Sequence, residues 1–176
     1  MSINEIVLSF DSGLPFLLTV VFFVGVKAFR QNTSLTVIAV VLALAEFSMH
    51  SIRDPLWGWA HKNSAINYEI RLMGWFGCWI ICDLIVLKLL HRTHEWLNIT
   101  KTKEVKVIQS AYLSLAVFHL IAFSNRTGIN VKLIDYMYQF GVPIINLSVA
   151  LFLLIALLRK TVNVNFKIAL RHNHGD

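Results

Sequence analysis

The sequence predicts an all-α fold, in which a bundle of transmembrane helices forms a polytopic integral membrane protein. Of the 176 residues, 56% are hydrophobic and only 15% are charged, and the mean hydropathy is +0.63. Five apolar stretches cover residues 6–28, 35–57, 70–90, 107–124 and 133–158. Each is close to the ~20 residues that cross a bilayer as a helix, and in lipid the backbone amides must be satisfied within the segment. We therefore expect five transmembrane helices in a single domain, residues 1–160, followed by a short cytoplasmic tail, residues 161–176.

The first stretch is the weakest of the five. Glu5, Asp11 and Pro15 interrupt its beginning, which leaves a bundle of four helices as the alternative. A cleaved signal peptide would need a basic segment before the apolar run. The first basic residue, Lys27, comes after that run instead, and we therefore expect the stretch to span the membrane.

The basic residues are distributed unevenly between the two sides of this arrangement. The side that carries the first-to-second and third-to-fourth connections, together with the tail, receives eleven of the sixteen Lys and Arg residues. The other side receives five, namely Arg53, Lys62, Arg71, Arg126 and Lys132. Lys and Arg favour cytoplasmic loops. We therefore expect a protein of the cytoplasmic (inner) membrane with its N-terminus outside and its C-terminus in the cytoplasm. Basic residues spread over segment ends form no patch that would bind nucleic acid.

One face of the second stretch combines small and ionisable residues. Ala39 and Ala43 form a pair of small residues that lets another helix approach closely. Glu46, His50 and Asp54 follow at intervals of four as a ladder of alternating carboxylates and imidazole. Charged groups near the bilayer centre are costly and face protein or water. The ladder is therefore either a buried polar interface or part of an ion or proton pathway.

Depth along the helices suggests partners for this ladder. His119 lies about as deep in the fourth stretch as Glu46 lies in the second, and Arg71 begins the third stretch near the level of Asp54. We therefore expect Glu46 to pair with His119, and Asp54 with Arg71. The candidate residues of the polar interface or pathway are therefore Glu46, His50, Asp54, Arg71 and His119.

Three further polar residues are secondary candidates. Asp83 is expected to be a structural acid that pairs with Lys88 or His91 near the cytoplasmic surface. Gln139 and Asn146 lie on a polar stripe of the fifth stretch, where amide side chains commonly hydrogen-bond between helices.

The third stretch contains Gly74 and Cys78, a second pair of small residues that predicts close helix packing. Cys78 and Cys82 are four residues apart, without the spacing of a structural metal motif. We therefore expect no metal and no cofactor. The sequence resembles no family closely enough to name.

Two functional hypotheses from different classes follow. In the first, the protein is a small non-enzymatic membrane component that conducts ions or protons, or senses a signal, as a homo-oligomer or as a subunit of a membrane complex. A membrane effector subunit would fall within this class. In the second, it is an intramembrane enzyme or small-molecule carrier that uses Glu46, His50 and Asp54. The second hypothesis requires a cavity in which polar groups converge.

Overall fold

The structure, a computed structural model, describes residues 14, 16–26, 33–62 and 65–172, with the backbone alone for 161–172. This part of the chain is all-helical, as the sequence predicts. Its five helices are α1 (Phe16–Val26), α2 (Thr33–Lys62), α3 (Tyr68–Trp96), α4 (Lys103–Ser124) and α5 (Lys132–His172). One π-helical turn, Asn125–Ile129, continues α4.

Four of the helices are long and apolar enough to cross a membrane. Their candidate spans are Thr33–Lys62, Tyr68–Trp96, Lys103–Ile129 and Lys132–Lys160. The chain is therefore a multi-pass membrane protein. The helix Phe16–Val26 is apolar but shorter, and much of the predicted first span, 6–28, lies outside the described residues. The expected position of the N-terminus lies outside them too.

The helices extend beyond the apolar stretches of the sequence. The third runs on to Trp96 rather than ending at Leu90, and the fifth continues to His172 rather than ending at Leu158. Hydropathy marks only the part of a helix that suits lipid, whereas helical hydrogen bonding continues through the polar residues beyond it. The helical backbone thus includes most of the predicted tail.

The long helices alternate in direction, so that the bundle has two distinct ends. At the α2–α3 end, α2 finishes and α3 begins; at the α3–α4 end, α3 finishes and α4 begins. The α3–α4 half is filled by a large apolar core. The core consists of Val21, Leu35, Ile38, Ala39, Leu42, Val86, Leu90, Val105, Ile108, Tyr112, Leu115, Val149, Leu153 and Leu157.

The helix α1 packs closely against this core. A Cβ atom added at Gly25 would lie 2.7 Å from the Cβ of Ala39, so only glycine fits there. The Thr36 hydroxyl donates to the Gly25 carbonyl at 2.7 Å. Ala39 and Ala43 are both buried, and it is α1 that approaches Ala39.

A buried histidine ties three helices together at the α3–α4 end. His94 is fully buried, and its Nδ1 donates to the Leu90 carbonyl at 2.7 Å. Since Nδ1 then carries the proton, Nε2 accepts from the Ser34 hydroxyl, 3.0 Å away on α2. The Ser34 hydroxyl is also 3.5 Å from that of Thr102, just before α4.

Candidate functional site

A cavity of about 220 Å³ lies among the four long helices. Its deepest polar groups come from the middle of each helix: Glu46 from α2, Asp83 from α3, His119 from α4 and Asn146 from α5. Leu115, a member of the apolar core, also contributes to the wall. The cavity therefore lies near the middle of the bundle's length, and the apolar core begins beside it.

The buried polar network of the cavity joins three helices through Asp83, His119 and Tyr138. The Tyr138 hydroxyl lies 2.9 Å from His119 Nδ1, and His119 Nε2 lies 3.6 Å from Asp83 Oδ2. The side chains of His119 and Asp83 are only 7% and 5% exposed. With a neutral imidazole, Tyr138 donates to Nδ1, and the proton on Nε2 points towards the carboxylate. In this network α5 therefore donates to α4, and the donor on α4 points towards α3.

One oxygen of this network has unused hydrogen-bonding capacity. Asp83 Oδ2 is fully buried and receives no hydrogen bond from any described residue. Its 3.6 Å separation from His119 Nε2 exceeds hydrogen-bond length. A buried acceptor left in this way is costly.

Glu46 stands on the α2 side of the same cavity. Its Oε1 accepts a hydrogen bond from the Tyr112 hydroxyl at 3.2 Å, and Tyr112 belongs to the buried apolar core. The contact anchors the carboxylate where the core meets the cavity. Tyr112 was not predicted as a site residue, because no charge or motif distinguishes it in the sequence.

The predicted ladder of α2 is only partly directed at the cavity. Glu46, His50 and Arg53 line it, whereas the Asp54 side chain is 90% exposed, with Oδ1 3.7 Å from Arg53 Nε. Each residue turns a helix by about 100°, so seven residues return to within about 20° of the starting direction and eight overshoot by about 80°. Arg53 thus takes the place at the cavity that the sequence suggested for Asp54.

The contacts seen among the described residues differ from both pairs expected from depth. His119 meets Asp83 and Tyr138, while Glu46 meets Tyr112. Depth alone does not say which way a side chain points around its helix.

Asp54 and Arg71 also have other partners. Asp54 is beside Arg53. Arg71 donates to the Ala60 carbonyl at 3.1 Å, and its guanidinium lies over the Tyr68 ring, 5.7 Å from the centroid.

Asp83 also has a different environment from the one expected. The sequence placed it near the cytoplasmic surface, within reach of Lys88 or His91. Because α3 continues to Trp96, Asp83 lies near the middle of the helix instead. It is therefore part of the central network and not an acid near the end of the bundle.

Aromatic rings form the wall of the cavity towards the α2–α3 end. Trp75 and Trp79 both line the cavity, and their centroids are 5.5 Å apart in an edge-to-face arrangement. Trp79 is stacked on His119, with centroids 6.5 Å apart. Neither tryptophan was predicted as a site residue, because tryptophan in a membrane protein usually marks the interface. The spacing of Trp75, Trp79 and Asp83 at intervals of four was the available signal.

The remaining candidates divide between the cavity and helix contacts. Gln139 and Asn146 line the cavity on either side of Pro143. A Cβ atom added at Gly74 would collide with the ring of Trp59, so glycine makes room there for a side chain of α2. Cys78 is half-buried and, like Cys82, a free thiol.

These features define a multi-pass membrane protein with a polar, partly aromatic cavity among its helices. No known protein family, curated protein or solved structure matches the chain.

Proposed function

We propose that this protein is a small non-enzymatic membrane component that senses a signal. The signal is a proton or a small polar solute that reaches the cavity from the α2–α3 end. The observation that carries the proposal is the Asp83–His119–Tyr138 network, which is exposed to the cavity on one side and joins three helices on the other. A change of charge or occupancy in the cavity would therefore act directly on helix contacts.

The network provides a physical route from protonation to helix movement. When His119 takes up a second proton, Nδ1 becomes a donor and no longer accepts from Tyr138. The tyrosine hydroxyl must then turn or separate, while the imidazolium is drawn to Asp83. Since Tyr138 is on α5 and Asp83 on α3, the relative position of these helices changes.

Several other groups would influence this titration. From α2 the cavity receives Glu46, His50 and Arg53, while α4 contributes Tyr112 through its bond to Glu46. The protonation midpoint therefore belongs to a coupled set of groups and not to His119 alone.

The distribution of apolar side chains fits a sensing function better than ion or proton conduction. The cavity borders the apolar core, and among the described residues that core fills the α3–α4 half of the bundle. An ion or proton pathway would have to form between copies or through rearrangement. Assembly as a homo-oligomer, or as a subunit of a membrane complex, remains part of the proposal.

A small-molecule carrier is the second candidate. The convergence of Glu46, Asp83 and His119 on one cavity favours it, because carriers bind their solutes near the bilayer midplane. Transport would require the apolar core to open, whereas sensing requires only a change in helix contacts.

We place the protein in the cytoplasmic membrane with the α3–α4 end in the cytoplasm. The support is the excess of basic residues at that end, including Lys88, Arg92, Lys101, Lys103 and Lys106. The cavity would then open outward.

A fluorescence titration tests the proposal. We expect the tryptophan emission of the protein in lipid nanodiscs to fall sigmoidally between about pH 7 and about pH 3, because protonated imidazole quenches the indole of Trp79 that it stacks on. His61 also stacks on a tryptophan, Trp57, with centroids 3.5 Å apart. The measurement therefore uses a His61→Gln background.

The variants His119→Gln and Asp54→Asn provide the comparison. The first should abolish the transition, since glutamine has no proton to gain, and the second should leave it unchanged because Asp54 is exposed. A flat titration in the parent, or an unaltered one in His119→Gln, would disprove proton sensing by this network.

A further inference from the structure

We infer that the last turns of α3 bind an anionic phospholipid, with the lipid phosphate between Lys88 and Arg92. The acyl chains lie against Ile85 and Leu89, and the ring of Trp96 stands at the level of the headgroup. We call these five residues the α3 stripe. The stripe lies on the outer surface of the bundle at the α3–α4 end and shares no residue with the cavity. The inference therefore goes beyond the proposed function and does not depend on it.

The α3 stripe is one outward-facing strip of the helix surface. At about 100° per residue its five members fall within an arc of about 100°. All five are exposed, and Trp96 is the most exposed large apolar side chain of the described residues, at 82%. The opposite face of the same turns carries the buried Leu90 and His94. The side that is free of the bundle therefore presents apolar, basic and aromatic groups together.

The order of these groups along α3 matches the order of groups in a phospholipid. Ile85 and Leu89 lie in the apolar part of the helix, and Arg92 lies about 6 Å beyond Lys88 along the axis. The flexible stem of Lys88 lets its ammonium group reach towards the membrane surface. Trp96 is about 10 Å beyond Leu89, and tryptophan favours the headgroup level. Acyl chains, phosphate and headgroup thus each meet a suitable side chain.

The stripe also keeps a positive charge despite a neighbouring acid, Glu95. Lys101 donates to His91 Nδ1, and the Nε2 of that ring then carries the proton and donates to Glu95 Oε1 at 2.9 Å. Lys101 and Glu95 therefore offset each other through His91. Arg92 Nη1 is 3.8 Å from Glu95 Oε2, beyond hydrogen-bond length. Among the described residues, no carboxylate forms an ion pair with Lys88.

The two basic groups are suited to a phosphodiester. A guanidinium offers a planar fork of donors and an ammonium group offers three, and both bind phosphate oxygens. A phosphatidylcholine headgroup carries a quaternary ammonium that cancels the charge of its phosphate, whereas phosphatidylglycerol keeps one net negative charge. A free phosphate ion would leave Ile85 and Leu89 unused. The combination of charge and apolar surface therefore favours an anionic phospholipid.

Lipid binding to the protein in nonionic micelles, counted by native mass spectrometry, tests the inference. The protein is titrated with phosphatidylglycerol and, separately, with phosphatidylcholine of the same acyl chains. We expect the first phosphatidylglycerol to bind at least tenfold more tightly than phosphatidylcholine, because each basic residue near the membrane surface adds about fivefold for an anionic lipid.

Variants assign this preference to the α3 stripe. The double variant Lys88→Gln, Arg92→Gln should reduce the preference to within twofold of none, and each single substitution should reduce it about fivefold. The charge-matched control is Lys103→Gln, Lys106→Gln, which removes two exposed basic residues of α4 at the same end. The control should keep the preference within twofold of the parent. Trp96→Ala should weaken binding of both lipids and retain the preference.

The single variants keep the test informative if the double variant folds poorly. An equal loss of preference in the two double variants would overturn the inference, because the overall charge of this end, and not the stripe, would then attract the lipid. A parent protein that binds both lipids equally would overturn it as well. Neither outcome affects the pH titration of the cavity network, which tests the proposed function separately.

Discussion

Replacing His119 with leucine should lower the free energy of unfolding by about 3 kcal/mol, the order expected when one partner is removed from a buried polar network. The change leaves the Asp83 carboxylate and the Tyr138 hydroxyl facing an apolar side chain. Both of these groups are largely buried, so water replaces the lost imidazole poorly. Reversible unfolding in mixed micelles, followed by circular dichroism, measures the difference.

The matched control for this prediction is His50→Leu. His50 lines the same cavity but is exposed, so its removal should change the free energy of unfolding by less than about 0.5 kcal/mol. Equal effects of the two substitutions would show that burial of the network is not what stabilises the bundle.

We expect His94→Ala to be as damaging at the other end of the bundle, with a loss of about 3 kcal/mol. The substitution removes a fully buried ring, which leaves a void in the packing, and it deprives Ser34 and the Leu90 carbonyl of their partner. Equilibrium unfolding under the same conditions gives the value.

His91→Ala is the control on the same helix. His91 is half-exposed, and its Nε2 lies 2.9 Å from Glu95 Oε1 one turn along the helix, a surface contact worth only about 0.5 kcal/mol. If His91→Ala destabilised the protein as much as His94→Ala, the buried tie between α2 and α3 would not be the stabilising contact.

The fold class could be predicted from the sequence because lipid imposes a simple requirement. Long apolar stretches must be helical, and four of the five predicted spans correspond to helices of sufficient length. The residues at which the helices end were less predictable. Residues 91–96 are polar on average yet continue α3, and this extension moves Asp83 to the middle of the helix.

The candidate site was predictable in its charged members and not in its geometry. Glu46 and His119 are identifiable as ionisable residues deep in apolar stretches, and both line the cavity. Their separate partners depend on how each helix is rotated about its axis, which depth does not determine. Tyr112 and Tyr138 were missed because a tyrosine in a membrane helix carries no unusual cost until its hydroxyl is buried.

The division of the bundle into two halves also has a sequence basis. Along α5, the cavity residues Gln139, Pro143 and Asn146 precede the core residues Leu153 and Leu157. Both sets recur at helical spacing, so they share one face of α5 and differ in height. The cavity and the apolar core are therefore successive parts of one continuous interface along α5.

The central claim is that the cavity is open to the α2–α3 end and closed to the α3–α4 end. Cysteine accessibility with a membrane-impermeant thiol reagent tests it in proteoliposomes of uniform orientation. Four single cysteines are introduced into a Cys78→Ser, Cys82→Ser background. Ala65→Cys and Thr100→Cys mark the two ends, Asn146→Cys reports on the cavity, and Leu153→Cys reports on the apolar core.

We predict that the cysteine at position 146 reacts only from the side on which position 65 reacts, while position 100 reacts from the opposite side. The cysteine at position 153 should react from neither side. Labelling of position 146 from the side of position 100, or of position 153 from either side, would contradict the account.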